Sequence, residues 1–133
     1  MTQMRVSEAA ELLAVSPDTI RRWIDGGRLT ATKGAGPVLV DGADLARLAQ
    51  EIAQPPAIGS VRDESARNRM RGIVTEVLRD GVMAQVSVQA GPFRVVSLMS
   101  REAADELGLE PGVVAVASIK STNVVIATPG SPA

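Results

Sequence analysis

The chain is predicted to be an α+β protein of two small modules, helical at the N-terminus and strand-rich at the C-terminus. Three observations carry that expectation. Apolar residues follow helical spacing over the first part of the chain and strand-like runs over the last. Between them residues 54–64, Gln-Pro-Pro-Ala-Ile-Gly-Ser-Val-Arg-Asp-Glu, fit neither pattern. Pro55 and Pro56 cannot continue a helix, and Gly59 and Ser60 loosen the chain. The expected division is 1–53, a linker over 54–64, 65–128, and a loose tail over 129–133.

In the first module Ser7 precedes Glu8-Ala9-Ala10-Glu11-Leu12-Leu13 and reads as a helix cap, with early acids favoured by the helix dipole. Val6, Ala9, Ala10 and Leu13 share one face. After a short turn, Ser16-Pro17 is a cap followed by proline at the first helical position. The second helix runs to about Asp25, buries Ile20, Trp23 and Ile24, and stops at Gly26-Gly27. Helix, short turn and helix form the geometry that lets a second helix enter a major groove. Ser16, Thr19, Arg21 and Arg22 face away from the apolar stripe and suit phosphate or base contacts. An ordinary helical hairpin with solvated arginines has the same pattern. Residues 28–40 then read as two short strands around a Gly-rich turn, and Asp41 caps a third helix.

This order, with Val6-Ser7-Glu8-Ala9-Ala10, Leu12-Leu13, Val15-Ser16, Thr19-Ile20-Arg21-Arg22-Trp23, Gly27 and Leu29, resembles the winged helix-turn-helix of the MerR/excisionase family over residues 4–52. The resemblance implies that Arg21 and Arg22 face DNA and that Lys33 sits at a wing tip.

In the second module Arg79-Asp80-Gly81 separates two apolar runs, 72–78 and 82–88, and the Asp-Gly pair signals a hairpin. Gly91-Pro92 turns into a strand over 93–99. Ser100 caps a helix over 101–107, strand 113–119 follows, and 123–127 reads as a fifth strand. Five short strands and one helix suggest a small closed or half-closed barrel. Ser65-Ala66-Arg67-Asn68 with Gly72, Glu106-Leu107-Gly108-Leu109 with Pro111-Gly112, and Ile119-Lys120-Ser121-Thr122 resemble the molbindin (Mop) or TOBE domain over residues 63–128. That likeness implies an OB-like barrel whose ligand is molybdate or tungstate. It nominates Ser65, Arg67, Asn68, Ser100, Lys120, Ser121 and Thr122, with the Ser65–Asn68 and Lys120–Ser121 segments meeting across a subunit interface.

Chemistry agrees, because a tetrahedral dianion needs positive charge and several converging donors. Duller readings exist. Ser100 serves as a helix cap without any ligand, Arg67 alternates with Arg69 and Arg71 along one segment, and Asn68 closes a turn.

Composition limits the alternatives. Among 133 residues there is no cysteine and no histidine, which removes disulfides, thiolate and imidazole metal sites and imidazole bases. No carboxylate pair stands out, so neither an enzyme, a resident metal nor a cofactor is expected. Hydrophobic residues are 45% and aromatic ones 2%, so cores must be aliphatic. Modules of about 55 residues are marginal alone, and a homo-oligomer, dimer or hexamer, is expected. Without a signal-peptide pattern or an apolar run of about 20 residues, the expected place is the cytoplasm, with no membrane partner.

Residues 1–54 carry six Lys/Arg against seven Asp/Glu, so any DNA surface must be local. The expected function is a molybdate-responsive DNA-binding regulator. A molybdate store and an excisionase-like architectural protein are the alternatives.

Overall fold

The computed structural model describes residues 2–59 and 65–130, and the chain divides into two compact units, Met1–Gln54 and Pro55–Ala133. Linker residues 60–64 and the end of the tail lie outside the described residues.

In the first unit β1 (Gln3–Arg5) leads into α1 (Val6–Leu13), and α2 spans Pro17–Asp25. β2 (Ala31–Thr32) and β3 (Leu39–Asp41) form the wing, and α3 runs Gly42–Ile52. The three strands pair antiparallel in the order β1-β3-β2. β1 escapes sequence reading because three residues make no periodicity; its partner β3 defines it.

Val6, Ala9, Ala10, Ile20, Leu29, Val40, Leu45 and Leu48 form the core, with Trp23 and Ile24 packed against it. Ser16 and Asp41 cap α2 and α3 as expected, accepting from Thr19 N and Asp44 N at 3.1 Å each. Ser7 does not cap. α1 starts two residues earlier, with Arg5 at the N-cap and no side-chain bond, because β1 delivers the chain directly into the helix.

Ala14 ends α1 in the left-handed region, φ 55° and ψ 43°. Val15 N closes on Ala10 O at 3.0 Å, a Schellman-type finish that favours glycine. Ala14→Gly is therefore expected to stabilise this unit by about 1 kcal/mol. That gain corresponds to a thermal midpoint higher by roughly 4–8 °C.

α3 is fastened to the loop before β2. Asp44 Oδ2 accepts from Thr30 N at 2.6 Å, and Arg47 donates to Asp44 and to Arg28 O at 3.1 Å. The Thr30 N–H first and Arg47 second hold the Asp44 carboxyl below its usual range.

The second unit is one antiparallel sheet of β4 (Asn68–Arg79), β5 (Met83–Ala90), β6 (Phe93–Ser100) and β7 (Val114–Ile119), in the order β6-β5-β4-β7. α4 (Arg101–Glu106) follows β6. A register shift between Val74 and Glu76 leaves Thr75 as a bulge, which increases twist and curls the sheet. Val74, Ala84, Val86 and Val88 line the inner face beneath Ala104 and Leu109. Arg79 ties the far end of β4 to the helix exit, donating to Asp105 at 3.0 Å, Leu109 O at 2.9 Å and Glu110 at 3.1 Å.

The expected 79–81 turn joins β4 to β5. Asp80 Oδ1 accepts from Met83 N at 2.6 Å and Val82 N at 2.8 Å, and these bonds, Met83 first, lower its pKa. A depressed carboxylate contributes stability above its unfolded pKa and loses it as pH falls through the folded value. Wild-type stability should therefore drop below about pH 4, and Asp80→Asn should flatten that drop in acid melts.

The fifth strand expected over 123–127 pairs with no strand among the described residues. Ser121–Asn123 form a 3-10 turn and Val124 continues extended, at φ −91° and ψ 124°. Folding back onto β7 through a tight hairpin needs a positive φ, which glycine or Asn-Gly supplies; Lys120-Ser121-Thr122-Asn123 contains no glycine. The four-stranded sheet is thus a half-closed barrel. Among the described residues β6 and β7 are free edges, and they flank an open apolar cavity of about 680 Å³ lined by Val95, Met99, Leu107, Val113 and Ala117, among others. No helix among the described residues is long and apolar enough to cross a membrane.

Candidate functional site

One end of the sheet gathers six of the seven nominated oxyanion residues. The register pairs Asn68 at the start of β4 with Ile119 at the end of β7. Ser65 and Arg67 therefore enter the sheet beside the point where Lys120, Ser121 and Thr122 leave it. Asn68 Nδ2 donates to Ile119 O at 3.2 Å and locks this junction, so the side chain has a fixed structural job there. Ala66, 4% exposed, anchors the entering segment and leaves its neighbours Ser65 and Arg67 outside. That anchor escaped sequence reading, since an alanine among polar residues carries no signal.

Arg67 and Lys120 are exposed and make no ion pair among the described residues. Asn123 N closes the 3-10 turn on Lys120 O at 2.9 Å. The first N–H groups of such a turn have no partner inside it and can donate outward. Two cations, three hydroxyls (Ser65, Ser121, Thr122) and backbone N–H groups thus share one solvent-facing edge, the donor set a small dianion requires.

Ser100 lies elsewhere. It pairs with Met83 at the other end of the sheet, and twelve-residue β4 separates the two ends by roughly 35 Å of strand. Its Oγ accepts from Ala103 N at 3.1 Å, so it caps α4. A single chain cannot bring Ser100 to the Lys120 end. The Ser65–Asn68 and Lys120–Ser121 segments, expected from different chains, are neighbours in the same one.

In the first unit Ser16, Arg21 and Arg22 are exposed on α2, and Thr19 is half-buried. Ser16 Oγ and Thr19 Oγ1 are 2.9 Å apart, and Arg22 donates to Thr19 Oγ1 at 3.3 Å. Arg21 pairs with Asp18 at 3.0 Å. Lys33 is the first residue after β2, in the loop that joins the two wing strands and beside the bend at 34–36, and it reaches Asp25 of α2 at 3.4 Å. Arg28 lies over the Trp23 ring, 5.7 Å from its centroid. No group of three or more potential metal-ligating side chains occurs among the described residues.

Residues 64–126 match the family model of the TOBE domain. Over 63 residues the chain is 40% identical to molybdenum-pterin-binding protein 3 of Clostridium pasteurianum, covering 93% of that protein. The chain belongs to the TOBE-domain family. In front of its TOBE domain, residues 4–52 match a helix-turn-helix domain. The molybdenum-pterin-binding protein MopB of Rhodobacter capsulatus is 30% identical over 129 residues, 96% of this chain and 43% of its own length. The chain thus spans less than half of that relative. A molybdate binding protein from Sporomusa ovata, 24% identical, aligns over 50% of this chain and 98% of its own, with a TM-score of 0.48.

Proposed function

We propose that this TOBE-domain protein is a cytoplasmic, molybdate- or tungstate-responsive transcriptional regulator that binds its oxyanion through Ser65, Arg67, Lys120, Ser121 and Thr122 at a subunit interface. The observation that carries this reading is the meeting of the Ser65–Asn68 and Lys120–Thr122 segments at one sheet end, with two cations unpaired among the described residues. The names of the Clostridium and Rhodobacter relatives support a molybdenum ligand. The helix-turn-helix match supports DNA as the partner, contacted by Ser16, Thr19, Arg21, Arg22 and Lys33.

Assembly as a homo-oligomer is supported by the half-closed barrel. Its two free edges flank an apolar cavity, while Val125 and Ile126 are 91% and 83% exposed beside it in sequence. The 124–127 segment of one copy has the length and character of the missing strand of another. Exchange would hold two Lys120–Thr122 turns at the interface, and a second copy is also the only source of Ser100 for this site. Oxyanion bound there stabilises one arrangement of the barrels, and it biases DNA binding by the difference in its affinity for the two arrangements.

Titration calorimetry with molybdate, with sulfate as control, tests the site. Lys120→Ala removes a charge-assisted bond worth about 1.5–3 kcal/mol, so affinity is expected to fall by roughly tenfold to a hundredfold. No heat from molybdate or tungstate would end the oxyanion reading. Gel shifts with and without the anion then separate a regulator from a store.

A further inference from the structure

We propose that Asp18 and Asp25 are built-in counter-charges that hold the DNA affinity of a single helix-turn-helix unit low, so that occupancy depends on several units being held together. The inference rests on the DNA reading above and concerns how that surface is set.

Three cations nominated for DNA, Arg21, Arg22 and Lys33, share their surface with two carboxylates. Asp18 takes Arg21 at 3.0 Å within α2, and Asp25 takes Lys33 at 3.4 Å from α2 to the wing. Arg22 donates one N–H to Thr19 Oγ1 and has no acid partner among the described residues, and one hydrogen bond joins the Ser16 and Thr19 hydroxyls. Two of the three cations offered to a phosphate are thus already paired with a carboxylate inside the unit.

These pairs are exposed, with side-chain accessibilities of 61% and 85% for Arg21 and Asp18 and 63% and 74% for Lys33 and Asp25. Exposed pairs are weak, so an arriving phosphate can take the cation. The carboxylate then stays within a few ångströms of that phosphate and repels it. Each acid therefore acts against DNA twice, as a competitor before binding and as a like charge after it.

The unit has no surplus of positive charge elsewhere, with six Lys/Arg against seven Asp/Glu over residues 1–54. Non-specific affinity comes almost wholly from cations that displace counterions at phosphates. A reader so balanced has little hold on random DNA. It must gain occupancy from base contacts and from a second reader tethered beside it, since tethering raises effective concentration without adding contacts.

The test uses the full chain and fluorescence anisotropy on a random-sequence duplex over a range of salt. Wild type is compared with Asp18→Asn, Asp25→Asn, the double variant, and Glu106→Gln. The last removes one negative charge from exposed α4 in the other unit. Each aspartate variant is expected to bind about threefold to tenfold tighter, the double about tenfold to a hundredfold. Each freed cation should steepen the dependence of log K on log salt by about 0.9, with Glu106→Gln unchanged.

If wild type binds and the aspartate variants match it, or if Glu106→Gln gains equally, the counter-charge assignment is overturned while the DNA reading stands. If none of the five proteins binds the random duplex even at low salt, the counter-charge assignment falls, while the DNA reading is judged separately by gel shifts on specific sequence.

Discussion

Gly72→Ala is expected to unfold the C-terminal sheet. A Cβ at Gly72 would lie 2.5 Å from Gln89 O, 2.9 Å from Val88 Cγ1 and 3.0 Å from Gln89 C. Two of these are backbone atoms of β5, so no rotamer change relieves the clash. The residue sits where β4 is paired on both sides, with Ile73 next to it facing Gln89 on β5 and Val114 on β7. Opening one ladder therefore strains the other. Overpacking at such a point costs about 3 kcal/mol or more. A unit of this size has only about 3–10 kcal/mol in all. Urea titration followed by circular dichroism should show loss of the strand signal at low denaturant. The sole tryptophan, Trp23, belongs to the first unit and reports on that unit separately. A loss under 1 kcal/mol would mean that β4 and β5 separate readily enough at Gly72 to admit a methyl group beside Gln89 O.

Val125→Asp with Ile126→Asp is expected to turn the proposed oligomer into monomers. Each of these side chains gains about 1.5–3 kcal/mol on burial. A reciprocal exchange buries both twice, and two carboxylates in the apolar cavity add a desolvation penalty. Association should weaken by far more than a thousandfold, leaving monomers at micromolar concentration in sedimentation velocity. Calorimetric heat with molybdate should vanish with the oligomer, since the site lies at the interface in this reading. An oligomer that survives the double substitution would show that the 124–127 segment does not close the barrel of a neighbour.

Much of the first unit was legible along the chain because its signals are local. Ser16-Pro17 marks the start of α2 through a cap and a pre-set φ, Gly26-Gly27 marks its end, and Asp41 caps α3, all within a few residues of the features they control. The strands of the second unit were placed within a few residues by Asp80-Gly81, Gly91-Pro92 and Pro111-Gly112 for the same reason. β1 and the true start of α1 were not legible, because a three-residue strand exists only through its partner.

The candidate site divides in the same way. Charge and hydroxyl content at Ser65–Asn68 and Lys120–Thr122 is a property of the sequence, and so is the absence of histidine and cysteine chemistry. Their adjacency is not. It comes from the β4–β7 register, which brings residues 68 and 119 together across 51 positions of chain and sends Ser100 to the opposite end. Likewise the sequence determined that 124–127 is apolar, whereas tertiary structure decided that it finds no strand partner among the described residues. The turn after β7 contains no glycine and folds as a 3-10 turn, from which Val124 continues extended. Composition and local turn chemistry were readable alone; register and closure depend on contacts between distant segments, and only the folded sheet contains them.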